Sequence, residues 1–271
     1  MLTRPVCFIE EGIYLSNVLI SHDKEAKIVT IKLNKQPLNI CEQNFYREIK
    51  AAFDQVNTME EDVAVVLLTS ACKHFCAGGE LEEIQRCSTR ENVDVIAGAA
   101  AGCMGAIYNC RYPVVAAVNG KAIGAGSAMA ACCDVVIASD TTKFSVPEIT
   151  AGYIGASEFL EMVIPRRLAR YYIFTGAPIT AQEMKHWGAV LDVVPQEQLL
   201  ERATEVAKQI AAQSPLALQY FKAAMNHNDD ERLVEKYFHE ADYTLKYNGS
   251  EDCKETYRAF KERRSPVFHG R

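Results

Sequence analysis

The strongest constraint on the fold comes from residues 112–139, where two apolar segments flank a turn made of small residues. The letters read YPVVAAVNGKAIGAGSAMAACCDVVIAS. Residues 112–118 and 134–139 predict buried strands, and residues 120–127 predict a turn that enters a short apolar helix near Gly126 or Ser127. A strand that leads through a glycine-rich turn into a helix, and then into another strand, is typical of α/β proteins.

The same alternation extends toward the N-terminus. Residues 26–33 alternate apolar and polar side chains and predict a half-exposed strand, whereas residues 63–69 are continuously apolar and predict a buried one. Helical spacing of apolar residues covers 45–56 and 91–110. The fold class predicted for this part of the chain is therefore α/β.

Beyond Pro178 the apolar spacing becomes mostly helical, interrupted by a short strand at 189–194 that follows a helix stop at Gly188. We therefore predict a division of the chain into an α/β core at residues 1–200 and a helical C-terminal portion at 201–271. A chain of 271 residues is long enough to bury a substantial core.

The net charge and the composition of the chain argue against nucleic-acid and membrane partners. The formal net charge is -6 and the sequence pI is about 5.6, which argues against a general nucleic-acid or anionic-membrane binder. The longest apolar stretch is interrupted by Asn119, Lys121 and glycines, so it predicts buried core and no membrane span. Glu10 and Glu11 interrupt the N-terminal apolar segment, so no signal peptide is predicted.

The cysteines point to a reducing compartment. Ten of them in a large chain without an export signal predict free thiols and a cytoplasmic protein. The grouping of Cys72, His74 and Cys76 could in principle ligate a metal ion. Because no second ligand pair stands at zinc-site spacing, we predict no metal site.

Two turns follow buried strands and precede helices, one at residues 74–81 and one at 120–127. The first N–H groups of a helix have no partner within the helix and carry partial positive charge, and small residues let an external oxygen approach them. Tight packing of helix on strand would favour the same residues. Two such turns could direct N–H donors at one oxygen, as an oxyanion hole requires. Neither turn carries a phosphate-loop lysine or the dinucleotide-binding glycine pattern.

Five motifs along the chain are similar to those of one enzyme family. They read HFCAGGEL, VNGKAIGAGSAMAACCDVVIAS, FSVPEITAGYIG, FTGAPITAQEMKHWGAV and AFKERRSPVF, and the resemblance that their order and spacing indicate extends over roughly residues 10–268. The chain resembles the enoyl-CoA hydratase/isomerase (crotonase) family. The resemblance implies a spiral of ββα turns with a helical C-terminal trimerisation portion, assembled as a homotrimer or a dimer of trimers. It also implies an acyl-CoA thioester as substrate and no additional cofactor.

In that family two backbone N–H groups bind the thioester oxygen, and they match Gly79 and Ala125. Hydratases of the family use two glutamates; the second matches Glu148, but Ala128 stands at the position of the first. Syn addition of water is easiest with two carboxylates, whereas one carboxylate is enough to move a proton between two carbons of a substrate. The resemblance therefore implies Glu148 as the main acid or base, acting in double-bond isomerisation or in an atypical hydration.

Three polar residues near the implied acyl pocket could replace the missing glutamate, although a structural role is the alternative for each. They are Ser127, Tyr153 and Glu158. The family's PGAGG turn is absent here and GYIGASEF stands in its place, so we expect a reshaped acyl pocket.

The resemblance also assigns positions to coenzyme A. These positions are Leu38, Asn39, Ala77, Leu81, Phe260 and Arg263. A lysine that often meets a CoA phosphate in the family is replaced by Glu82, which would repel phosphate. Lys261 and Arg264 add positive charge near Arg263, where a basic C-terminal segment could hold the pyrophosphate.

Two other classes of function stay open at this point. The same oxyanion hole serves thioester hydrolysis, decarboxylation and C–C bond cleavage, since a fold does not fix a function. The chain could also be a non-catalytic acyl-CoA-binding or assembly subunit, because Ala128 removes one of the two glutamates of the hydratases.

Overall fold

The computed structural model describes residues 15–86, 89–228 and 233–269. Its largest sheet has six strands in the order β1-β2-β3-β4-β6-β9, all neighbours parallel except the antiparallel β1 and β2. These strands are β1 (Val18–Asp23), β2 (Ile28–Leu33), β3 (Val65–Ser70), β4 (Val114–Val118), β6 (Val135–Ser139) and β9 (Asp192–Val194). The expectations for N-terminal residues 1–14 lie outside the described residues.

A second, smaller sheet has the order β5-β7-β8 and carries the turn that the sequence singled out. Its strands are β5 (Lys121–Ile123), β7 (Lys143–Ser145) and β8 (Ile179–Thr180). The strands are very short, which explains why periodicity did not predict them. Residues 121–123 were expected in a turn, and their pairing with β7 makes them a strand.

Helices fill the connections. In the first half they are α1 (Gln43–Asn57), α2 (Leu81–Gln85), α3 (Arg90–Tyr108), α4 (Ala125–Ala131), α5 (Glu148–Ala151), α6 (Ser157–Val163) and α7 (Arg166–Thr175). They continue as α8 (Ala181–His186), α9 (Leu199–Ala211), α10 (Pro215–Asn228), α11 (Leu233–Asn248) and α12 (Glu251–Glu262). The predicted helices at 45–56 and 91–110 are confirmed as α1 and α3.

The central strands are buried on both faces, as their apolar runs predict. In β3, Val66 and Leu68 join the cluster that contains the buried residues of α1 and α3. Their neighbours Val65 and Leu67 point to the opposite face and pack with residues of α9. Because side chains alternate along a strand, one continuous apolar segment supplies two separate packing surfaces.

Helix α9 straddles the predicted division near residue 200 and forms part of the core. Its buried residues Ala203, Val206 and Ala207 share a cluster with strand residues of the main sheet. The boundary between core and C-terminal portion therefore stays a prediction, with α9 packed on the core side. No helix among the described residues is long and apolar enough to cross a membrane.

One buried ion pair connects the C-terminal helices to the sheet. The Lys222 ammonium on α10 is only 6% exposed and donates to Asp134 Oδ2 at 2.6 Å and to the Tyr112 carbonyl at 3.2 Å. The same Asp134 oxygen accepts from the Val114 N–H at 2.6 Å. Each residue of the pair supplies the counter-charge of the other. Replacing one of them therefore leaves the other without its counter-charge.

We therefore expect Lys222→Met to lower the free energy of unfolding by roughly 2–4 kcal/mol, because Asp134 loses its counter-charge in a partly buried position. Exposed Lys208 on α9 provides the control, since Lys208→Met should change stability by less than about 0.5 kcal/mol. Urea denaturation of the two variants measures both values, and equal small effects would contradict the role given to the pair.

Candidate active site

The two predicted turns are brought together by one parallel bridge. Cys76 and Ala122 form an isolated parallel β-bridge, in which the Cys76 N–H donates to the Lys121 carbonyl at 3.1 Å and the Ile123 N–H donates to the Cys76 carbonyl at 3.0 Å. Beyond the bridge the two segments lead to Gly79 and to Ala125, and both residues line the same cavity. The backbone pairing therefore brings together the two turns that the family resemblance assigns to the thioester oxygen.

Both N–H groups are left free for a ligand. A second parallel bridge joins Cys41 to Gly79 through the Gly78 carbonyl and the Glu80 N–H, so the Gly79 N–H points away from Cys41. Ala125 is the first residue of α4, where an N–H has no partner within the helix. Among the backbone hydrogen bonds of the described residues, none uses the Gly79 or the Ala125 N–H.

Close backbone approach explains two of the glycines. A Cβ on Gly126 would lie 2.6 Å from the Cys76 carbonyl oxygen, so a side chain there would separate the two turns. Gly78 has φ +99, and a Cβ on it would lie 3.2 Å from the Ile123 carbonyl oxygen. Each position needs glycine if Gly79 and Ala125 are to converge.

Gly79 and Ala125 line a common cavity of about 300 Å³. Ala128 also lies in its wall, where its methyl group supplies no acid or base. Much of the remaining wall is apolar and comes from α2, α3 and β5. These apolar residues include Ile84, Ile96, Ala100, Met104 and Ile123. The cavity thus combines two free amides with largely hydrophobic surroundings.

Glu148 lies beside Gly124, the residue that precedes Ala125. It is the first residue of α5 and lines the cavity, and a Cβ on Gly124 would come within 2.4 Å of its Oε1 atom. Its Oε2 atom is buried and has no hydrogen-bond partner among the described residues. Burial raises the pKa of the Glu148 carboxyl to about 8, partly offset by its own backbone N–H. A carboxyl with such a pKa is suited to proton transfer near neutral pH.

Of the three candidates to replace the missing glutamate, only Tyr153 lies in the cavity wall. Ser127 is buried behind it: its hydroxyl lies 2.7 Å from the Ala122 carbonyl and 2.9 Å from the Ser145 carbonyl, and the Ser145 N–H lies 3.2 Å from it. These bonds tie α4 to the small sheet. The structure therefore gives Ser127 a role in holding the turn and does not bring its hydroxyl to the cavity.

Glu158 is set back from the cavity, next to Glu240 of α11. Both Glu158 carboxylate oxygens are buried without a donor among the described residues. Burial first, and then the neighbouring Glu158 carboxyl, raise the pKa of Glu240 to about 10. The Ser157 N–H also donates to Glu240 Oε1 at 3.2 Å.

The residues expected to bind coenzyme A divide into two groups. Ala77 and Leu81 line the cavity beside Gly79. Leu38 lies behind Ala77 and accepts from its N–H at 3.1 Å. Asn39 is fully buried, accepts from the Lys35 N–H at 2.8 Å and donates to the Phe75 carbonyl at 2.9 Å, so its side chain holds the loop.

At the C-terminus, Phe260 lines this cavity and Arg263 does not. Arg263 is exposed at the end of α12, with φ +52. A second cavity of about 1140 Å³ shares Glu148, Tyr153 and Phe260 with the first and also includes Arg264. The positive charge of Arg264 is already paired with Glu255 and Glu262.

Among the wall residues that sequence reasoning did not name are two tyrosines, Tyr46 and Tyr237. Tyr46 is part of the amphipathic spacing of α1, which predicts only that it is buried. Tyr237 reaches the cavity because α11 packs on α3, a long-range contact that leaves no local pattern in the sequence. The cysteines and His74 form no cluster of three or more metal-ligating groups within the described part of the chain.

Comparison with known proteins identifies the family of the chain. The sequence profile described as enoyl-CoA hydratase/isomerase matches residues 23–271. The chain belongs to the enoyl-CoA hydratase/isomerase family, as the resemblance predicts, and it is an acyl-CoA-processing enzyme of that family.

Individual relatives differ in the reaction that their names state. The chain is 31% identical over 85% of its length, and 93% of the relative, to the (7aS)-7a-methyl-1,5-dioxo-2,3,5,6,7,7a-hexahydro-1H-indene-carboxyl-CoA hydrolase of Mycobacterium tuberculosis. It is 29% identical over 95% of its length to the whole 2,3-dehydroadipyl-CoA hydratase of Escherichia coli.

Solved structures support the predicted fold class. The enoyl-CoA hydratase of Bacillus anthracis superimposes with a TM-score of 0.72 at 30% identity, covering 94% of this chain and 100% of that one. The carnitinyl-CoA hydratase of Mycobacterium avium superimposes with a TM-score of 0.78 at 28% identity, covering 94% and 99%. The crotonase-like fold with a helical C-terminal region is confirmed.

Gly124 provides a direct test of the placement of Glu148. A methyl group at Gly124 would collide with Glu148 Oε1, and the residue has φ +51. We expect Gly124→Ala to displace the carboxylate and lower kcat/KM for an acyl-CoA substrate about 100-fold or more, since small misplacements of catalytic groups are costly. Gly188→Ala is the control, because its φ is +83 but nothing lies within 4 Å. Equal loss of activity in both variants would contradict the placement.

Proposed function

We propose that the protein catalyses proton transfer on an acyl-CoA through an enolate of the thioester. The thioester oxygen accepts from the Gly79 and Ala125 N–H groups, and Glu148 removes the adjacent proton. The observation that carries the proposal is the position of an unpartnered carboxylate oxygen beside two free amides in one cavity. Donors fixed in an apolar cavity stabilise developing negative charge more strongly than water does.

The reaction that this arrangement supports best is a shift of a double bond. Glu148 takes a proton from the carbon next to the thioester, the electron pair moves to the thioester oxygen, and the same carboxyl group returns the proton to a more distant carbon. One carboxyl group is enough for this sequence. Easy hydration would need a second carboxylate. The position in the cavity wall where that carboxylate would stand is occupied by Ala128.

Hydrolysis is the second candidate, and one observation favours it. The relative from Mycobacterium tuberculosis, 31% identical to this chain, is named as a hydrolase of a CoA-linked bicyclic diketone. In such a reaction water, activated by Glu148, would attack a carbonyl carbon of the acyl group. The C–C bond would then break toward the thioester, and its electron pair would form the enolate held by the two amides.

We also propose that the protein is a cytoplasmic homotrimer or dimer of trimers. The support is an exposed apolar surface on α10, formed by Leu216, Tyr220, Phe221 and Met225, each at least 55% exposed. Large exposed apolar surfaces mark interfaces between chains. The free thiols expected in a cytoplasmic protein agree with the unpaired cysteines of the described residues.

Glu148→Gln tests the proposed acid/base role. We expect kcat to fall by about 10²- to 10⁴-fold while the Kd for the acyl-CoA changes little, because the amide keeps the shape of the side chain but cannot accept the proton. Turnover of a panel of β,γ-enoyl, α,β-enoyl and β-oxoacyl CoA thioesters, followed by mass spectrometry, measures the loss and identifies the reaction.

In that panel, no change in mass indicates an isomerase, gain of one water indicates a hydratase, and cleavage indicates a hydrolase. Surface Glu205→Gln is the control and should retain full activity. An active Glu148→Gln enzyme would refute the assignment, and failure of the wild type to bind any acyl-CoA would favour the non-catalytic alternative.

The pH dependence follows from the burial of Glu148. A base must be ionised in the free enzyme, and burial raises the pKa of this carboxyl to about 8. We therefore expect kcat/KM to fall about 10-fold for each pH unit below about 8 and to level off above it. Stopped-flow or steady-state rates between pH 6 and pH 9.5 measure the profile, and a flat profile through pH 8 would contradict the raised pKa.

A further inference from the structure

Three tyrosine side chains enter the site cavity from three separate elements. Tyr46 comes from α1, Tyr153 follows α5, and Tyr237 comes from α11. The Tyr153 and Tyr237 hydroxyl oxygens are 3.5 Å apart. The Tyr46 hydroxyl oxygen lies 3.8 Å from where a Cβ on Gly79 would be. Hydroxyl groups are thereby concentrated in a cavity whose wall is otherwise mostly apolar.

Apart from Glu148, the other polar side chains in the wall already have hydrogen-bond partners within the protein. Glu80 accepts from the N–H of Glu82 at the start of α2, and Glu83 accepts from the Gln43 N–H at 3.0 Å. The Thr150 hydroxyl donates to the Pro147 carbonyl at 2.7 Å. By contrast, no carbonyl or carboxylate in the described part of the chain is hydrogen-bonded to the tyrosine hydroxyls at this cavity.

These hydroxyls act as hydrogen-bond donors over the physiological pH range. Burial raises the pKa of Tyr46, Tyr153 and Tyr237. The carboxyl groups that face them raise the pKa of Tyr153 and Tyr237 further; Glu148 comes from α5, Glu240 from α11, and Glu158, which faces Tyr237, from α6. A neutral phenol keeps its proton available for an acceptor.

The fold also reserves space for the Tyr153 hydroxyl. A Cβ on Gly155 would lie 2.6 Å from this oxygen and 2.8 Å from the ring carbon that carries it. Any larger residue at Gly155 would therefore displace the hydroxyl. The position of Tyr153 is fixed by this glycine and by the contact with Tyr237 from α11.

When the Tyr153 and Tyr237 hydroxyls bond to each other, only one of their two protons has an acceptor, and the second has none among the described residues. A buried donor without an acceptor is destabilising, so we expect the ligand to supply one. We propose that the acyl group of the substrate carries a second oxygen, a ketone or hydroxyl beyond the thioester carbonyl, which accepts hydrogen bonds from Tyr153 and Tyr237. This inference rests on the proposed function only in placing the thioester carbonyl at Gly79 and Ala125. A site built to hydrogen-bond a substrate oxygen discriminates strongly against an analogue without it.

Two matched pairs of probes test the inference by binding. The first pair is 2-oxocyclohexanecarboxyl-CoA and cyclohexanecarboxyl-CoA, and the second is 3-oxohexanoyl-CoA and hexanoyl-CoA. Isothermal titration calorimetry on full-length Glu148→Gln protein avoids turnover. We expect at least one oxo compound to bind roughly 10- to 100-fold more tightly than its partner, as two hydrogen bonds to buried donors predict.

Tyrosine variants in the same Glu148→Gln background locate the effect. Tyr153→Phe and Tyr237→Phe should each reduce the preference for the oxo compound about fivefold or more, while binding of the oxygen-free partner stays unchanged. Tyr172→Phe is the matched control, because the Tyr172 hydroxyl donates to Glu183 Oε1 at 3.2 Å and does not line the cavity. Circular dichroism verifies that each variant is folded.

The possible outcomes separate the two proposals. Equal binding of oxo and oxygen-free probes in both pairs, or an oxo preference that survives both tyrosine variants, would overturn the inference and leave the acyl-CoA function intact. Failure of all four thioesters to bind would refute the proposed function itself. An oxo preference that is lost in Tyr153→Phe or Tyr237→Phe supports the inference.

Discussion

The parallel bridge between Cys76 and Ala122 is the interaction on which the site depends. It fixes the register of two chain segments that are distant in sequence, and the next three residues of each segment bring the Gly79 and Ala125 N–H groups to the same cavity. Backbone pairing is well suited to this task because its geometry does not depend on side-chain rotamers. Glycine at 78 and 126 follows from the close approach that the bridge requires.

A single cause, burial of the side chains in the cavity wall, accounts for the chemistry of the remaining groups. It raises the pKa of Glu148 to about 8, keeps the tyrosine hydroxyls protonated, and strengthens the hydrogen bonds that the two amides can give to an enolate oxygen. Ala128 lies in the wall where a second glutamate is expected in the hydratases of the family, so Glu148 is the one carboxylate to which we assign the proton transfer. The hydroxyl groups of the cavity wall belong mainly to tyrosines, which as neutral phenols can donate a hydrogen bond and keep their proton.

Local sequence patterns predicted those parts of the site that are formed by residues close to one another in the sequence. Both turns, the strands beside them and Glu148 were found because small residues and motif order mark them. The hydroxyl of Ser127 was expected near the substrate but bonds to backbone carbonyls, since a turn this tight leaves carbonyls that need a donor. Tyr237 could not be predicted, because its position is set by the docking of α11 on α3.

The vibrational frequency of the bound thioester carbonyl tests the central claim most directly. Isotope-edited infrared spectroscopy of an acyl-CoA labelled with ¹³C at the thioester carbonyl, bound to the Glu148→Gln protein, reports on the hydrogen bonds that this oxygen accepts. Two converging amide donors predict a carbonyl stretch shifted well below its frequency in water, because they polarise the C=O bond toward the enolate. A bound thioester with an unshifted carbonyl stretch would contradict the account.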